Sequence, residues 1–480
     1  MLSALNVFCF ENNSSGRKVS MTSPTHASLM MSDIGRVVDK LQKLRDRLAL
    51  GEQELVDGFL RAAGVVETTP SQYNPYLPNV HANPYPHYHR LQDENPVHWS
   101  QAMQAWVISR HADIVEAFRE PRLSYRTGFE TIMICVPKEQ HESIRNVSRL
   151  LGSLLNEVDP PSHTRLRGIM VKALNAATNP QRSSHIESIA NKLIDAVQDA
   201  GQMDIVRDFA NPLPSIVGAD LLGIPDADRE RFGQWIHDVV HTFSEGFNGN
   251  AAMLRGEAAI IELTEYMNRL FAERRAQPGH DVLSAMLMNE EATDEERVLI
   301  AINIIMGMHE NVTHAISLSM RTVMQDQELL SQLRGSAEVL SMAVEEMLRY
   351  EGTAPILSRV TLDNIEIGGV RIPKGQRVIL LIAAANRDAE TFDDPDRFIP
   401  DRRPNCHVAF GIGRRTCPGS ALARTIIRAS VKALLTRLSD LQAVDTVPSW
   451  REEINIRGLG SLPVTFRPSG GLASPGESRT

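Results

Sequence analysis

The spacing of apolar residues divides the chain into a long helical part and two short regions of strands. From residue 111 to residue 350, apolar residues recur at helical spacing and charged residues separate the apolar stretches, which indicates amphipathic helices. Residues 96–110 predict a pair of short strands. Residues 356–384 carry β-branched runs broken by a Gly-Gly pair and a Pro-Lys-Gly turn, a pattern typical of short hairpins. We therefore predict a mainly α fold with a small β region.

The segment "EERVLIAINIIMGMHENVTHAISLSMRTVM" predicts one long central helix. Thr293 and Glu296 at its start have the spacing of a capping box. The apolar pattern covers roughly 30 residues, and at about 1.5 Å per residue such a helix crosses most of a domain. A second helix is predicted to begin at Ser420, because apolar residues take up helical spacing there, directly after a glycine-rich segment.

The ends of the chain lack the pattern of a packed domain. Residues 1–31 are rich in Ser, Asn and Thr without any period, so we predict a disordered leader. Apolar residues from Asp33 onward follow a helical period and predict a helical extension at residues 32–73. We expect the main domain at residues 74–468 and a flexible tail at residues 469–480.

Composition narrows the class of protein and its partners. The 480-residue chain has 42% hydrophobic and 23% charged residues, as folded globular proteins do. Its net charge of −9 speaks against nucleic acid as a partner, and its apolar runs fall short of the roughly 20 residues of a membrane anchor. The four cysteines are too widely spaced for a disulfide framework or a zinc site, which favours the cytoplasm. They are Cys9, Cys135, Cys406 and Cys417.

The segment "AFGIGRRTCPG", residues 409–419, surrounds Cys417 with three glycines and two arginines. Just before a helix start, free backbone N–H groups and the helix dipole stabilise a thiolate as a metal ligand. A thiolate on haem iron donates electron density and favours O–O cleavage. Glycines let the backbone approach sulfur and porphyrin, and Pro418 removes one N–H donor beside the ligand. The alternative is a buried structural cysteine in a glycine-rich turn.

The sequence "FGIGRRTCPG" resembles the haem-binding signature of the cytochrome P450 family, in its soluble bacterial type. Further motifs follow in the family's order across roughly residues 74–468: "DPPSHTRLR", the long helix, "EEMLRY" and "PDRF". The resemblance implies the mainly helical haem-thiolate fold, with haem b between the long helix and the cysteine loop. It also implies Cys417 as the axial ligand. The other signature positions are Phe410, Gly411, Gly413, Arg415 and Gly419.

Several charged residues gain a role from this resemblance. His163 and Arg167, four residues apart in "DPPSHTRLR", match the family's haem-clamping helix. Arg359 matches its other propionate-binding arginine, and Arg415 would face a propionate as well. For each of them the alternative is an ordinary solvated charge.

Glu346 and Arg349 in "EEMLRY" are spaced i, i+3 and can meet on one helix face. Alone, such a pair would count as ordinary surface charge. It resembles the family's ExxR element, however, and "PDRF" supplies Arg397 as the family's third partner. The resemblance therefore implies a buried, charge-assisted network of these three side chains.

The long helix departs from the family pattern at one position. The family's usual order is a small residue, glycine, any residue, an acid and threonine. This sequence has Gly307, Met308, His309, Glu310 and Asn311. The resemblance implies that Glu310 and Asn311 assist proton delivery during O₂ activation, although an asparagine amide donates a hydrogen bond and relays no proton.

The resemblance implies a monooxygenase that uses O₂ and electrons from NAD(P)H to hydroxylate or epoxidise a small to medium, largely apolar molecule in secondary metabolism. A separate ferredoxin and ferredoxin reductase would supply the electrons and dock on the cysteine side, near Arg414 and Arg424. Asn311 leaves open a second reaction class, which comprises oxidative coupling, ring formation and desaturation. A third hypothesis is a haem protein that binds a ligand without turnover, as a sensor or carrier.

Apolar residues in three segments are candidates for the substrate pocket. They are Ile132, Met133 and Ile134 before the haem-clamping helix, Met308 on the long helix, and Ala354, Ile356 and Leu357 after the ExxR element. Such a lining suits a lipophilic ligand. The same residues equally suit an ordinary hydrophobic core.

Overall fold

A computed structural model describes the parts of the chain that carry the fold. The described residues are 72–127, 141–177, 180–245, 250–445, 447–451 and 453–468. Outside them lie the predicted leader at 1–31, all but the last two residues of the predicted extension at 32–73, the predicted tail at 469–480, and the pocket candidates Ile132, Met133 and Ile134. The limits of the main domain, residues 74–468, stay a prediction.

Helices make up most of the described chain, as the apolar spacing predicts. In chain order they are α1 (Pro78–Ala82), α2 (Tyr85–Glu94), α3 (His111–Arg119), α4 (Arg145–Ser153), α5 (Ser162–Ala177), α6 (Pro180–Asp195), α7 (Pro212–Leu222), α8 (Arg229–Glu245), α9 (Asn250–Ala276), α10 (Val282–Leu287), α11 (Asp294–Val323), α12 (Gln327–Gly335), α13 (Ala337–Tyr350), α14 (Ile382–Ala385) and α15 (Ser420–Arg437). A short π-helix, Ile205–Ala210, precedes α7. No described helix is both long and apolar enough to cross a membrane.

The predicted central helix is α11, which has 30 residues. Thr293 Oγ1 accepts a hydrogen bond from the N–H of Glu296 at 3.2 Å, and Glu296 Oε2 accepts one from the N–H of Thr293 at 3.0 Å. The predicted capping box is therefore confirmed. Side chains along most of the helix are buried in the largest apolar cluster, which also includes residues of α7, α13 and α15. The largest part of the core is thus built around α11.

The strands form small sheets beside the helices. They are β1 (Val97–Ser100), β2 (Ala105–Ile108), β3 (Leu123–Ser124), β4 (Gln202–Asp204), β5 (Ile356–Thr361), β6 (Ile365–Ile367), β7 (Val370–Ile372), β8 (Arg377–Leu381), β9 (Leu438–Ala443), β10 (Ser449–Trp450), β11 (Leu459–Ser461) and β12 (Pro463–Pro468). One sheet has the order β1-β2-β8-β5-β3, in which β2 and β8 are parallel. The others pair β6 with β7, β10 with β11, and β4 with β12 and β9. Both strand regions predicted from the sequence are confirmed.

The five-stranded sheet lies between two smaller apolar clusters. Along β8, Val378 and Leu380 belong to one cluster, and Ile379 and Leu381 belong to the other. This division follows from the alternation of side chains across a strand. The sheet is buried on both faces at this point, and β5 pairs with β8 along this buried stretch.

Candidate active site

Cys417 stands at the end of a glycine-rich loop that leads into α15. Its N–H donates to the carbonyl of Phe410 at 2.9 Å, and its own carbonyl accepts from the N–H of Ser420 at 3.3 Å. Gly411 and Gly413 have φ values of 67° and 66°, in the left-handed region that a residue without Cβ adopts at no steric cost. Backbone bonds thus close the loop and hold the sulfur at the N-terminus of α15.

Positive charge and an N–H group lie close to the Cys417 sulfur. Burial raises the pKa of the Cys417 thiol above its usual value, and the N–H of Gly419 with the guanidinium groups of Arg167 and Arg424 opposes that rise. Arg167 is tied to the loop, because its Nη2 donates to the carbonyl of Thr416 at 2.7 Å. A metal cation that binds a thiol deprotonates it outright. These neighbours suit a thiolate that serves as a metal ligand.

A cavity of about 380 Å³ lies between the Cys417 loop and α11. From α11 it is lined by Asn303, Ile304, Gly307, Met308, Asn311 and Val312, and from the loop by Ala409, Phe410, Gly411, Thr416, Cys417, Pro418 and Gly419. Gly307 is exposed although it lies in the middle of a buried helix, and a Cβ placed on it would meet nothing within 4 Å. The cavity therefore opens directly against the backbone of α11. Gly413 does not line it and only shapes the loop.

Four basic side chains line the same cavity: His163, Arg167, Arg359 and Arg415. Arg359 is only 4% exposed, and the guanidinium carbons of Arg359 and Arg415 lie 3.5 and 3.6 Å from the ring centroid of Tyr125. Arg415 also pairs with Asp159 at 3.1 Å. Burial, together with the charges of Arg415 and Arg167, lowers the pKa of His163 to about 4, so its imidazole is neutral at pH 7.

The cavity leaves some of this buried charge unsatisfied. The Nε atoms of Arg167 and Arg359 are buried and have no hydrogen-bond partner among the described residues. Buried charges are normally paired or hydrogen-bonded. A ligand with carboxylates on one edge would pair with the guanidinium groups of Arg167 and Arg359, and a metal in the same ligand would bind the sulfur of Cys417. Haem has two propionates and an iron, so the residues present fit this cofactor.

Asn311 and Glu310 are adjacent in sequence but lie on different cavities. Asn311 lines the cavity of Cys417, where its Nδ2 donates to the carbonyl of Gly307 at 3.2 Å. Glu310 lines a second cavity of about 390 Å³, which it shares with His314 and Arg451. Burial raises the pKa of Glu310, and Arg451 at 3.5 Å opposes that rise. The structure therefore brings Asn311 and Cys417 together and leaves Glu310 apart.

The apolar pocket candidates divide in the same way. Met308, Ala354 and Leu357 line the cavity of Cys417. Ile356 does not line it and packs in an apolar cluster on the other side of the sheet. The expectation for Ile356 was wrong, because neighbouring residues of β5 point to opposite faces.

The predicted ExxR network exists, with one change of partner. Arg349 donates to Glu346 through Nε at 2.7 Å and through Nη2 at 2.8 Å. The second guanidinium on Glu346 belongs to Arg402, whose Nε lies 3.0 and 3.1 Å from the two carboxylate oxygens. Arg397 contributes its main-chain carbonyl, which accepts from both arginines. The predicted role of the Arg397 side chain was therefore wrong, because the chain turns at this point and presents the backbone to the network.

Several residues of the cavity lie outside the motifs of the sequence. Tyr125, between two arginines, follows the two-residue strand β3, and Thr353 lies in the connection between α13 and β5. Neither segment has a period or a motif that marks it. Phe118, Met170, Leu174 and Leu422 also line the cavity, and in the sequence they are indistinguishable from core residues.

The chain is similar to known proteins of one family. The family model "Cytochrome P450" matches residues 138–453. The biotin biosynthesis cytochrome P450 of Bacillus subtilis is 30% identical over 80% of this chain and 96% of its own length. Cytochrome P450 monooxygenase PikC of Streptomyces venezuelae is 32% identical over 80% of this chain and 92% of its own.

Solved structures show the same similarity in three dimensions. The crystal structure of CalO2 has a TM-score of 0.76 at 32% identity and covers 83% of this chain and 100% of that chain. P450BioI, solved in complex with an acyl carrier protein ligated to hexadec-9Z-enoic acid, has a TM-score of 0.73 at 30% identity and covers 81% of this chain and 100% of that chain.

Proposed function

The chain belongs to the cytochrome P450 family and is an oxidoreductase of the monooxygenase type, and from this premise we propose its reaction. It hydroxylates or epoxidises a small to medium, largely apolar molecule of secondary metabolism, with O₂ and electrons from NAD(P)H. One observation carries the proposal: a single cavity brings together the Cys417 sulfur, the unpartnered Nε atoms of Arg167 and Arg359, and an apolar wall.

Each part of the cavity has a task in this proposal. When bound, haem b would supply the oxidising chemistry, because a thiolate ligand on its iron favours O–O cleavage. Cys417 would bind the iron, Gly411 and Gly419 would let the loop lie close to the ring, and Phe410 lines the cavity beside them. The propionates would be held by His163, Arg167, Arg359 and Arg415, with Gly413 shaping the loop that positions Arg415.

The apolar side of the cavity binds the substrate and excludes water. Met308, Ala354 and Leu357 supply its wall, and apolar walls with few polar groups suit a lipophilic ligand. Glu310 lies on the other side of α11, in the second cavity. In this proposal Glu310 takes up protons from the second cavity, whereas the neighbouring Asn311 lines the cavity of Cys417.

Electrons come from a separate ferredoxin and ferredoxin reductase that dock on the side of the Cys417 loop. Arg414 is exposed there and offers positive charge to an acidic partner. Arg424 is already held by Glu345 at 2.6 and 2.8 Å, so it contributes less to docking. We place the protein in the cytoplasm, because Cys417 has to remain an unbridged thiol to bind iron.

Asn311 favours a second candidate reaction: oxidative coupling, ring formation or desaturation. Its amide is bonded to the carbonyl of Gly307 and relays no proton. The Asn311→Thr variant separates the two candidates. Faster and cleaner hydroxylation by that variant supports the first reaction, and loss of a coupled product supports the second.

The haem-thiolate assignment is tested by the absorption spectrum of the reduced, CO-treated protein. A thiolate ligand gives a strongly red-shifted Soret band. We expect this band in the wild type and in the Cys406→Ser variant, a matched control because Cys406 is also a free cysteine. The Cys417→Ser variant should lack it. A wild type without bound haem would overturn the proposal.

Substrate class is tested next, with NAD(P)H, ferredoxin and reductase. Free lipophilic molecules are compared with acyl chains on a carrier protein, because the similar P450BioI was solved with such a carrier. The expected product has gained one oxygen atom. Bound haem without NAD(P)H-dependent product from any class would favour a carrier or sensor.

A further inference from the structure

The hydroxyl group that α11 lacks at Asn311 is present on a neighbouring segment, at Thr353. Both residues line the cavity of Cys417, and the Thr353 hydroxyl donates to Asn311 Oδ1 at 3.3 Å. We propose that the two form one hydrogen-bonded unit, in which Thr353 is a positioning residue that fixes the amide of Asn311 toward the cavity. This inference rests on the proposed function, since it assigns the polar group beside the reacting ligand.

The carbonyl of Gly307 decides the orientation of the amide. Asn311 Nδ2 donates to this carbonyl at 3.2 Å, and a flipped amide would place two acceptor oxygens against each other. Asn311 Oδ1 therefore points to Thr353, and the Thr353 hydroxyl has to donate its one hydrogen to it. One N–H of Asn311 and the lone pairs of the Thr353 oxygen remain for a ligand or water in the cavity.

Backbone contacts hold Thr353 in place independently of Asn311. The carbonyl of Thr353 accepts from the N–H of Arg457 at 2.8 Å. The Arg457 side chain is buried, forms an ion pair with Glu351 and donates to the carbonyl of His81 at 2.9 Å. The segment that carries Thr353 is thus anchored on both sides of the hydroxyl. A group fixed in this way is already oriented before a ligand arrives.

The separation of 3.3 Å is long for a bond between two oxygen atoms. Hydrogen bonds at active sites are often long before the ligand binds and shorten when it does. The free N–H of Asn311 would donate one hydrogen bond to a polar diatomic ligand or a water in the cavity. Neither side chain of the unit has a titratable proton.

The test uses two variants of Thr353 that separate the hydroxyl from the methyl group. Thr353→Val keeps the shape and removes the hydroxyl, whereas Thr353→Ser keeps the hydroxyl and removes the methyl. Each variant is first shown to keep the red-shifted CO band. The affinity of the ferric enzyme for cyanide, a diatomic iron ligand that accepts hydrogen bonds, is then measured from the Soret shift.

We expect Thr353→Val to weaken cyanide binding about fivefold, the usual worth of one net hydrogen bond, and Thr353→Ser to bind within about twofold of wild type. In an Asn311→Ala background, Thr353→Val should have no further effect. The inference is overturned if the serine variant loses affinity for cyanide and the valine variant does not. That result would show that the methyl group of Thr353 matters through packing and that its hydroxyl group does not matter. The inference is also overturned if the valine effect persists without Asn311. A wild type without the CO band refutes the proposed function itself, which is a different result.

Discussion

Replacement of Glu346 by glutamine removes the negative charge on which two buried arginines depend. Glu346 and Arg349 are 0% and 1% exposed, and the Arg402 side chain is 5% exposed. Besides these two guanidinium groups, the N–H of Ile399 and the amide of Asn405 donate to the carboxylate, at 2.9 and 3.2 Å. Glutamine has the same shape, but its NH₂ group would face donors that it cannot accept from.

The structure sets the expected size of the effect. Removing one partner of a buried ion pair costs about 3–5 kcal/mol, because the remaining charge is left uncompensated. The Asn405 and Ile399 donors also lose part of their acceptor, but such losses overlap, so we expect about 4 kcal/mol in total. That is a large part of the roughly 5–15 kcal/mol by which proteins are stable.

Urea unfolding, followed by circular dichroism, measures this loss for Glu346→Gln. Glu338→Gln is the control, because Glu338 lies exposed on the same helix, α13, where a lost charge costs at most about 1 kcal/mol. If Glu346→Gln is no more destabilising than the control, the carboxylate of Glu346 does not hold Arg349 and the segment from Arg397 to Asn405 in place.

Two further predictions concern the packing and titration of His314. A Cβ on Gly458 would lie 2.2 Å from His314 Nδ1, so Gly458→Ala should lower the free energy of unfolding by about 1–3 kcal/mol. Thermal unfolding measures this loss, with Gly460→Ala as the less crowded control. Equal melting temperatures of the two variants would contradict the overlap. Burial, and next the charge of Arg451, lowers the pKa of His314 to about 4. Between pH 6.5 and pH 4, His314 therefore binds a proton in the unfolded chain and stays neutral in the folded protein. The contribution of His314 to the free energy of unfolding is full above pH 6.5, and about 3 kcal/mol of it is lost as the pH falls to about 4. His314→Gln should lose less over this interval, and an identical slope in both proteins would exclude this origin.

The features of this protein that can be predicted from its sequence are local ones. Helix α11 could be predicted from its first turn, because a capping box needs only Thr293 and Glu296 at the right spacing. The hairpins from β5 to β8 have turn residues between β-branched runs. Cys417 stands in a motif whose glycines have positive φ or lie against the cavity.

The features that cannot be predicted in this way depend on the direction in which each side chain points. Successive residues of a helix point about 100° apart, which separates Glu310 from Asn311 although the motif treats them as a pair. Ile356 and Leu357 diverge because strand neighbours alternate. Arg402 takes the place expected for Arg397, five residues earlier, since only the turned backbone shows which guanidinium reaches Glu346.

The contacts of Arg457 also determine when the cavity can be completed during synthesis. This one residue donates to the carbonyls of His81 and Ala82, pairs with Glu351 and holds the backbone of Thr353. The ribosome releases the chain from its N-terminus, and a domain generally folds as a unit. The residues of helices α5 to α13 have all left the ribosome before residue 457 is synthesised. The backbone of Thr353 gains its hydrogen bond only after Arg457 has been added. A nascent chain that stops before Arg457 would thus contain the residues of all the described helices and the Cys417 loop, but it would lack the side chain that fixes the cavity wall at Thr353.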